Sequence, residues 1–193
     1  MEIVNIQNIL KNYYKDIMKI NIKDIKIFKS NIYKDLRGSF NEVYIKKYLD
    51  KTKELIFHCT SSSKKNVLRG LHLQTKKPQA KFLTVIKGKI FDVIVDLRKN
   101  SKTFGKYFSI TLSKKSYSSI YIPAGLAHGF CGLDRENIVY YGCSNYRQKK
   151  NEIGILWNDK DLKIKWPVKL PILSKKDSQN ISFKDYCNIN NKI

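Results

Sequence analysis

A chain of 193 residues, 42% hydrophobic and 12% aromatic, has the size and apolarity to bury one core and reads as a single compact domain. Its formal charge of +22 admits nucleic acid, an acidic membrane or an anionic small molecule as a partner. Only five of its 38 basic residues are arginine, and the lysines run along the whole chain, which argues against a base-reading nucleic-acid protein and assigns most of the charge to a solvated surface.

The four cysteines, Cys59, Cys131, Cys143 and Cys187, stand at wide, irregular spacings with no CxxC pair, the pattern of reduced structural thiols rather than a disulfide frame or a zinc site. No apolar run approaches the ~20 residues of a membrane span, and charges break every apolar run near the N-terminus, so neither a membrane segment nor a signal peptide is expected. The expected location is cytoplasmic.

In chain order, Ile3, Ile6, Ile9, Leu10, Tyr13, Ile17 and Met18 fall near helical spacing and predict a short amphipathic helix in an N-terminal extension, residues 1–20. From there to residue 193 one domain is expected. The period changes to two in "IKIFKSNIY", "EVYIKKY", "KFLTVIKGKIFDVIVDLR", "YFSITLS", "SSIYIPAG" and "ENIVYYGCSNY", with turns at Gly38, Lys87-Gly88, Lys99-Asn100 and Pro123 to Gly125. Short strands at this spacing predict an all-β antiparallel barrel or double-sheet jelly roll. The tail from Trp166 to Ile193, with two prolines and many polar residues, predicts irregular chain with one short helix.

The chemistry starts at "PAGLAHGF", where a Pro-x-Gly turn sets His128 at the head of a strand. This is the second half-motif of a cupin barrel, whose first half supplies HxH and an acidic ligand to a metal. Here the first half reads His72-Leu73-Gln74, and Lys81 stands where an acidic ligand would be sought. A cation there opposes a divalent metal and two histidines are too few ligands, so a cupin-type jelly-roll barrel without metal or cofactor is expected. Histidines without a metal, beside a lysine and an arginine, fit proton transfer near an anion. Taking a proton from carbon costs about 1.4 kcal/mol for each pKa unit separating it from the base. The substrate therefore needs an adjacent carbonyl, whose enolate a fixed cation such as Lys81 can hold.

The run "LRGLHLQ…PQAK…KGKIFDVIVDLRKNSKTFG", then "IPAGLAHGF", "GILWNDKDLKIKWP" and "LSKKD", closely resembles the dTDP-4-dehydrorhamnose 3,5-epimerase family from about Ile27 to Asp177. The resemblance implies a cupin fold, a homodimer with shared active sites, and epimerisation next to the 4-keto group of a nucleotide-linked 6-deoxy sugar. It makes His72 the base, Asp177 its orienting partner, and a tyrosine of "NIVYYG" the acid on the opposite face. Alignment names Tyr140, with Tyr141 as rival, and adjacent strand residues face opposite ways. Lys81 is implied to stabilise the enolate, with Arg69, Gln74 and His128 lining the sugar pocket. Arg37, Phe40 and Glu42 are implied to reach the nucleotide of the neighbouring subunit. Where many members of the family carry Gln-Asp-Asn, this chain has Phe57-His58-Cys59. The loss of two amide side chains that would read a base edge tips the expected substrate toward a GDP-linked 4-keto-6-deoxy heptose of a capsule pathway, with the dTDP-linked hexose of rhamnose biosynthesis as the alternative and a basic nucleic-acid-binding barrel as the reading from another class. Arg98, Trp157 and Trp166 read as structural.

Overall fold

The computed structural model describes residues 2–4, 22, 24–49 and 54–190. Thirteen strands are defined among them: β1 (Glu2–Val4), β2 (Lys26–Lys29), β3 (Ile32–Asp35), β4 (Gly38–Asn41), β5 (Phe57–Lys64), β6 (Leu68–Gln74), β7 (Lys81–Lys87), β8 (Lys89–Asp96), β9 (Tyr107–Ser113), β10 (Ser118–Ile122), β11 (Leu126–Gly132), β12 (Glu136–Cys143) and β13 (Glu152–Gly154). A short helix, α1 (Phe183–Asn190), follows in the tail. The expected all-β fold with a partly helical tail is what the chain forms. The predicted N-terminal helix lies outside the described residues except at Ile3 and Val4, whose backbone pairs with β2 in an antiparallel ladder.

Two sheets make the body, one in the order β1-β2-β10-β7-β12-β5 and the other β13-β6-β11-β8-β9, with β3-β4 as a separate hairpin. The strict alternation of β8 shows why they stack: Ile90, Asp92, Ile94 and Asp96 share one face, while Phe91, Val93 and Val95 share the other. The inner faces bury Leu83, Val85, Ile120, Ile122 and Val139 from the six-stranded sheet against Ile90, Ile94, Phe108, Ile110, Leu126 and Phe130 from the five-stranded one. Burying each of these large side chains contributes about 2 kcal/mol, which makes the interface between sheets the main source of stability.

Each outer face is covered by non-strand chain. Leu71, Leu73, Val93 and Val95 pack under Leu162, Trp166, Ile181 and Tyr186 of the tail. Phe28, Phe82 and Tyr121 pack under Val43, Tyr44, Ile45 and Leu49. That second contact explains a departure from expectation: "EVYIKKY" is not a strand. Three consecutive residues, Val43 to Ile45, pack against one apolar cluster, which a strand of period two cannot arrange, and Lys46–Tyr48 close into a 3-10 turn. Conversely β5, "FHCTSSSK", has little apolar signal because it is the edge strand of its sheet, paired on one side only, to β12.

Arg98 is structural, as expected. Its guanidinium grips both Asp96 oxygens at 2.8–2.9 Å, and Ser101 and Thr103 each donate to the same carboxylate at 2.6 Å. Burial alone would raise the Asp96 carboxyl, but these hydrogen bonds outweigh it and bring it down to about 2. A group with a depressed folded-state value stabilises the protein above its unfolded value, near 4, and loses that contribution as pH falls through the folded one. Asp96→Asn is therefore expected to cost about 2 kcal/mol at pH 7. Denaturant unfolding of both proteins at pH 7 and near pH 2 checks this, because the difference should shrink in acid.

Candidate active site

One end of the space between the sheets is open and forms a cavity of about 240 Å³. His72, Gln74 and Arg69 enter it from β6, His128 from β11, Lys81 from β7 and Tyr141 with Cys143 from β12. Asp177 and Glu152 close its rim from the tail and β13. His72 and His128 are register partners across the β6–β11 ladder, so their rings sit side by side on one wall. The ladders can approach this closely because Gly70 and Gly129 face each other: a Cβ on Gly70, whose φ is +117°, would stand 2.5 Å from the Gly129 Cα.

His72 Nε2 lies 2.5 Å from Asp177 Oδ1, and the imidazole is about one quarter exposed. Asp177 is itself buried, and its backbone N–H donates to Ser174 Oγ of the same turn at 3.0 Å. Burial pushes the Asp177 carboxyl up, but the hydrogen bonds and charge of His72 more than offset this and hold it below the usual carboxylate range. A carboxylate fixed at Nε2 makes that nitrogen the N–H donor and leaves Nδ1 with its lone pair. His128 repeats the motif deeper in: Nε2 stands 2.7 Å from Asp92 Oδ1, both groups are buried, and Asp92 Oδ2 has no hydrogen-bond partner.

The opposite wall carries Lys81 and Tyr141. Burial pushes the Lys81 ammonium below the ordinary lysine value, with nearby Cys143, Glu152 and Asp92 pulling the other way. Burial likewise raises the Tyr141 phenol, which keeps it protonated at neutral pH; its hydroxyl lies 3.4 Å from Ser61 Oγ. Arg69 is anchored by Nε to Ser63 Oγ and by Nη2 to Ser62 O, both at 2.9 Å.

The placement of Tyr140 is a correction. Its hydroxyl sits 2.7 Å from His58 Nδ1 and its ring stacks on the imidazole, on the outer face of the six-stranded sheet. Val139, Tyr141 and Cys143 share the inner face instead, because Tyr141 pairs with Leu83 and Cys143 with Lys81. Gln74 lines the cavity, but its amide is occupied: the NH2 donates to Lys77 O and Tyr146 O, and the oxygen accepts from the Gln148 N–H. Arg37, Phe40 and Glu42 do not join this chain's own cavity. They lie on or beside the β3–β4 hairpin, where Arg37 pairs with Asp35 and Phe40 packs on Tyr33 in the open.

Several lining residues were not expected. Glu152 and Arg147 stand in a lysine-rich stretch that reads as a solvated turn. Cys59 and Cys143, read as purely structural, and Phe57, which packs on Tyr146, face the cavity; the inward parity of Phe57 and Cys59 follows once β5 is paired to β12.

Two facing sheets with a His–Asp pair on one wall and a lysine and a phenol on the other define an acid–base enzyme of the jelly-roll class. The family model described as dTDP-4-dehydrorhamnose 3,5-epimerase matches residues 19–185. A dTDP-4-dehydrorhamnose 3,5-epimerase of Shigella flexneri is 40% identical over 175 residues, covering 88% of this chain and 97% of that protein. The crystal structure of the enzyme of that name from Elizabethkingia anophelis aligns with TM-score 0.79 and 38% identity, covering 87% of this chain and 96% of its own. That of dTDP-6-deoxy-D-glucose-3,5-epimerase from Legionella pneumophila, in complex with dTDP-4-keto-L-rhamnose, aligns with TM-score 0.82 and 35% identity, covering 88% and 93%. The chain belongs to the dTDP-4-dehydrorhamnose 3,5-epimerase family and is an isomerase, a carbohydrate epimerase. Among its described residues no helix is long and apolar enough to cross a membrane.

Proposed function

We propose that the chain epimerises a dTDP-linked 4-keto-6-deoxy hexose at C3 and C5, His72 removing the carbon-bound proton and Tyr141 returning one from the opposite face. The observation that carries this reading is the division of the groups between the two walls. His72 stands on the five-stranded sheet, and Lys81 and Tyr141 on the six-stranded one. Inversion needs a base and an acid on opposite sides of the sugar ring, and two facing sheets supply them. His72 Nδ1 takes the proton, the C–H electron pair moves into the enolate, and the Lys81 ammonium faces the developing oxyanion. Tyr141 then protonates the carbon from the other side, and solvent restores both groups.

The expected preference for a GDP-linked heptose gives way to the dTDP-linked hexose. The matching family model and the Shigella relative carry the dTDP-linked name, and the Legionella relative holds a dTDP-linked 4-keto sugar, which outweighs the loss of two amide side chains at Phe57 and Cys59. Arg37, Phe40 and Glu42, outside this chain's own cavity, fit a homodimer in which the hairpin of one copy meets the nucleotide held by the other.

Proton NMR in D2O tests the reading. With dTDP-4-keto-6-deoxyglucose, the C3 and C5 proton signals should both wash out, and a GDP-linked heptose should exchange far more slowly; the reverse preference would overturn the nucleotide assignment. Tyr141→Phe should lower formation of epimerised product about a hundredfold, the scale of one acid–base group, while Tyr140→Phe stays within about threefold of the parent. Equal losses in the two variants would sink the assignment of Tyr141.

A further inference from the structure

Glu152 has no role in the mechanism above, yet it is among the most constrained side chains of the site. Its strand, β13, pairs with β6 so that Glu152 stands opposite Gln74 and Gly154 opposite His72. The carboxylate is only 8% exposed. Its Oε2 accepts Nε and Nη2 of Arg147, both at 3.0 Å, and its Oε1 accepts Nζ of Lys176 at 2.8 Å. The same Oε1 lies 3.7 Å from His72 Nδ1, the ring nitrogen that Asp177 does not hold.

That distance is too long for a hydrogen bond, so Nδ1 keeps its lone pair for the substrate. It is short enough for the charge to be felt, above all in a site walled off from water. Lys176 also precedes Asp177 in the chain. The Lys176–Glu152 bond thus ties the tail to β13 one residue away from the carboxylate that orients the base. We infer that Glu152 is a positioning residue for the base, masking the Arg147 and Lys176 charges beside His72 and anchoring the turn that carries Asp177. This rests on the reading of His72 as the base.

The charged and titratable groups sharing the cavity with His72 are Asp177 from the tail, Glu152 with Arg147 from β13 and the loop before it, Arg69 from its own strand, Lys81 from β7, Cys59 from β5, Tyr141 and Cys143 from β12, and His128 backed by Asp92, with Lys176 held on Glu152. Burial would raise the Glu152 carboxyl, but Lys176, His72 and Arg147 outweigh it, so it is anionic at neutral pH. Without that charge two cations face the imidazole unmasked, which disfavours the imidazolium formed when the proton is taken. The base is then weaker.

The test compares Glu152→Gln and Glu152→Asp with the parent through two measurements. In the first, the imidazole of His72 is titrated by NMR without substrate; the chain has three histidines, so His58 and His128 variants assign the signals. E152Q should lower the His72 midpoint by about one pH unit, and E152D should restore most of it. In the second, kcat should fall about tenfold in E152Q with KM changed less than about threefold, and the acid limb of kcat/KM should move to lower pH. A His72 midpoint and acid limb both within about 0.2 unit of the parent would overturn the inference, even if E152Q were less stable or less active, since a merely structural role moves neither. The substrate-free titration also separates the two readings: if the parent exchanged no carbon-bound proton in any 4-keto sugar, the proposed function would fail while the coupling of Glu152 to His72 was still measured.

Discussion

Replacing His72 by asparagine is expected to lower proton exchange at C3 and C5 about a thousandfold while leaving the fold intact. Asparagine fits the space of the ring but its amide ends near the position of Nδ1, so the 2.5 Å contact of Nε2 with Asp177 is lost, at the cavity rim rather than in the core between the sheets. It offers no nitrogen lone pair of useful basicity, and a positioned general base contributes between 10² and 10⁴ in rate. Deuterium exchange followed by proton NMR gives the rate directly, and thermal unfolding gives the control. An H72N protein that exchanges within about tenfold of the parent would remove His72 from the mechanism. It would leave His128, its register partner with a buried carboxylate of its own, as the rival base.

Lys81→Met is expected to cost between 10² and 10³ in kcat, with KM nearly unchanged. Methionine keeps the unbranched chain that lines the wall between Cys143 and Leu83, and it deletes only the charge. The oxygen of a ketone is neutral until the carbon proton leaves, so an ammonium facing it acts chiefly on the enolate and its transition state. Because burial depresses the Lys81 ammonium, activity should also fall on the alkaline side at a lower pH than an exposed lysine would allow. Comparable rises in KM and falls in kcat would show instead that Lys81 serves ground-state binding. A pH profile of K81M that kept the parent's alkaline limb would assign that limb to another group.

Much of this site is legible along the chain because its residues sit in short, ordered motifs. His72, Lys81, His128 and Asp177 each fall on a stretch whose spacing or resemblance singles them out, and all four meet at one cavity. Tyr140 and Tyr141 show where such reading stops. Ile138 and Tyr140 have one parity in β12, Val139, Tyr141 and Cys143 the other, and both sets are apolar. Alternation says that one tyrosine points in, but the side is chosen by pairing with β7, where Lys81 and Leu83 are inward. The same limit hid β5, an edge strand whose serines and lysine give no hydrophobic period, and with it the inward direction of Phe57 and Cys59.

The sequence by itself determined the all-β class, the central strands β7 to β10 and the turns between them, and its resemblance to the family singled out His72, Asp177 and Lys81 as candidates that the structure then brings to one cavity. The strands and turns follow from local rules, period-two burial and glycine where φ is positive. Tertiary structure decided which tyrosine faces the cavity, that the Gln74 amide is spent on holding loops, and that Glu152, in a stretch that reads as solvent, is buried beside His72. The physical reason is one of range. A side chain's direction and its ionic partners depend on strands far away in sequence, and those pairings are settled only when the two sheets close on each other.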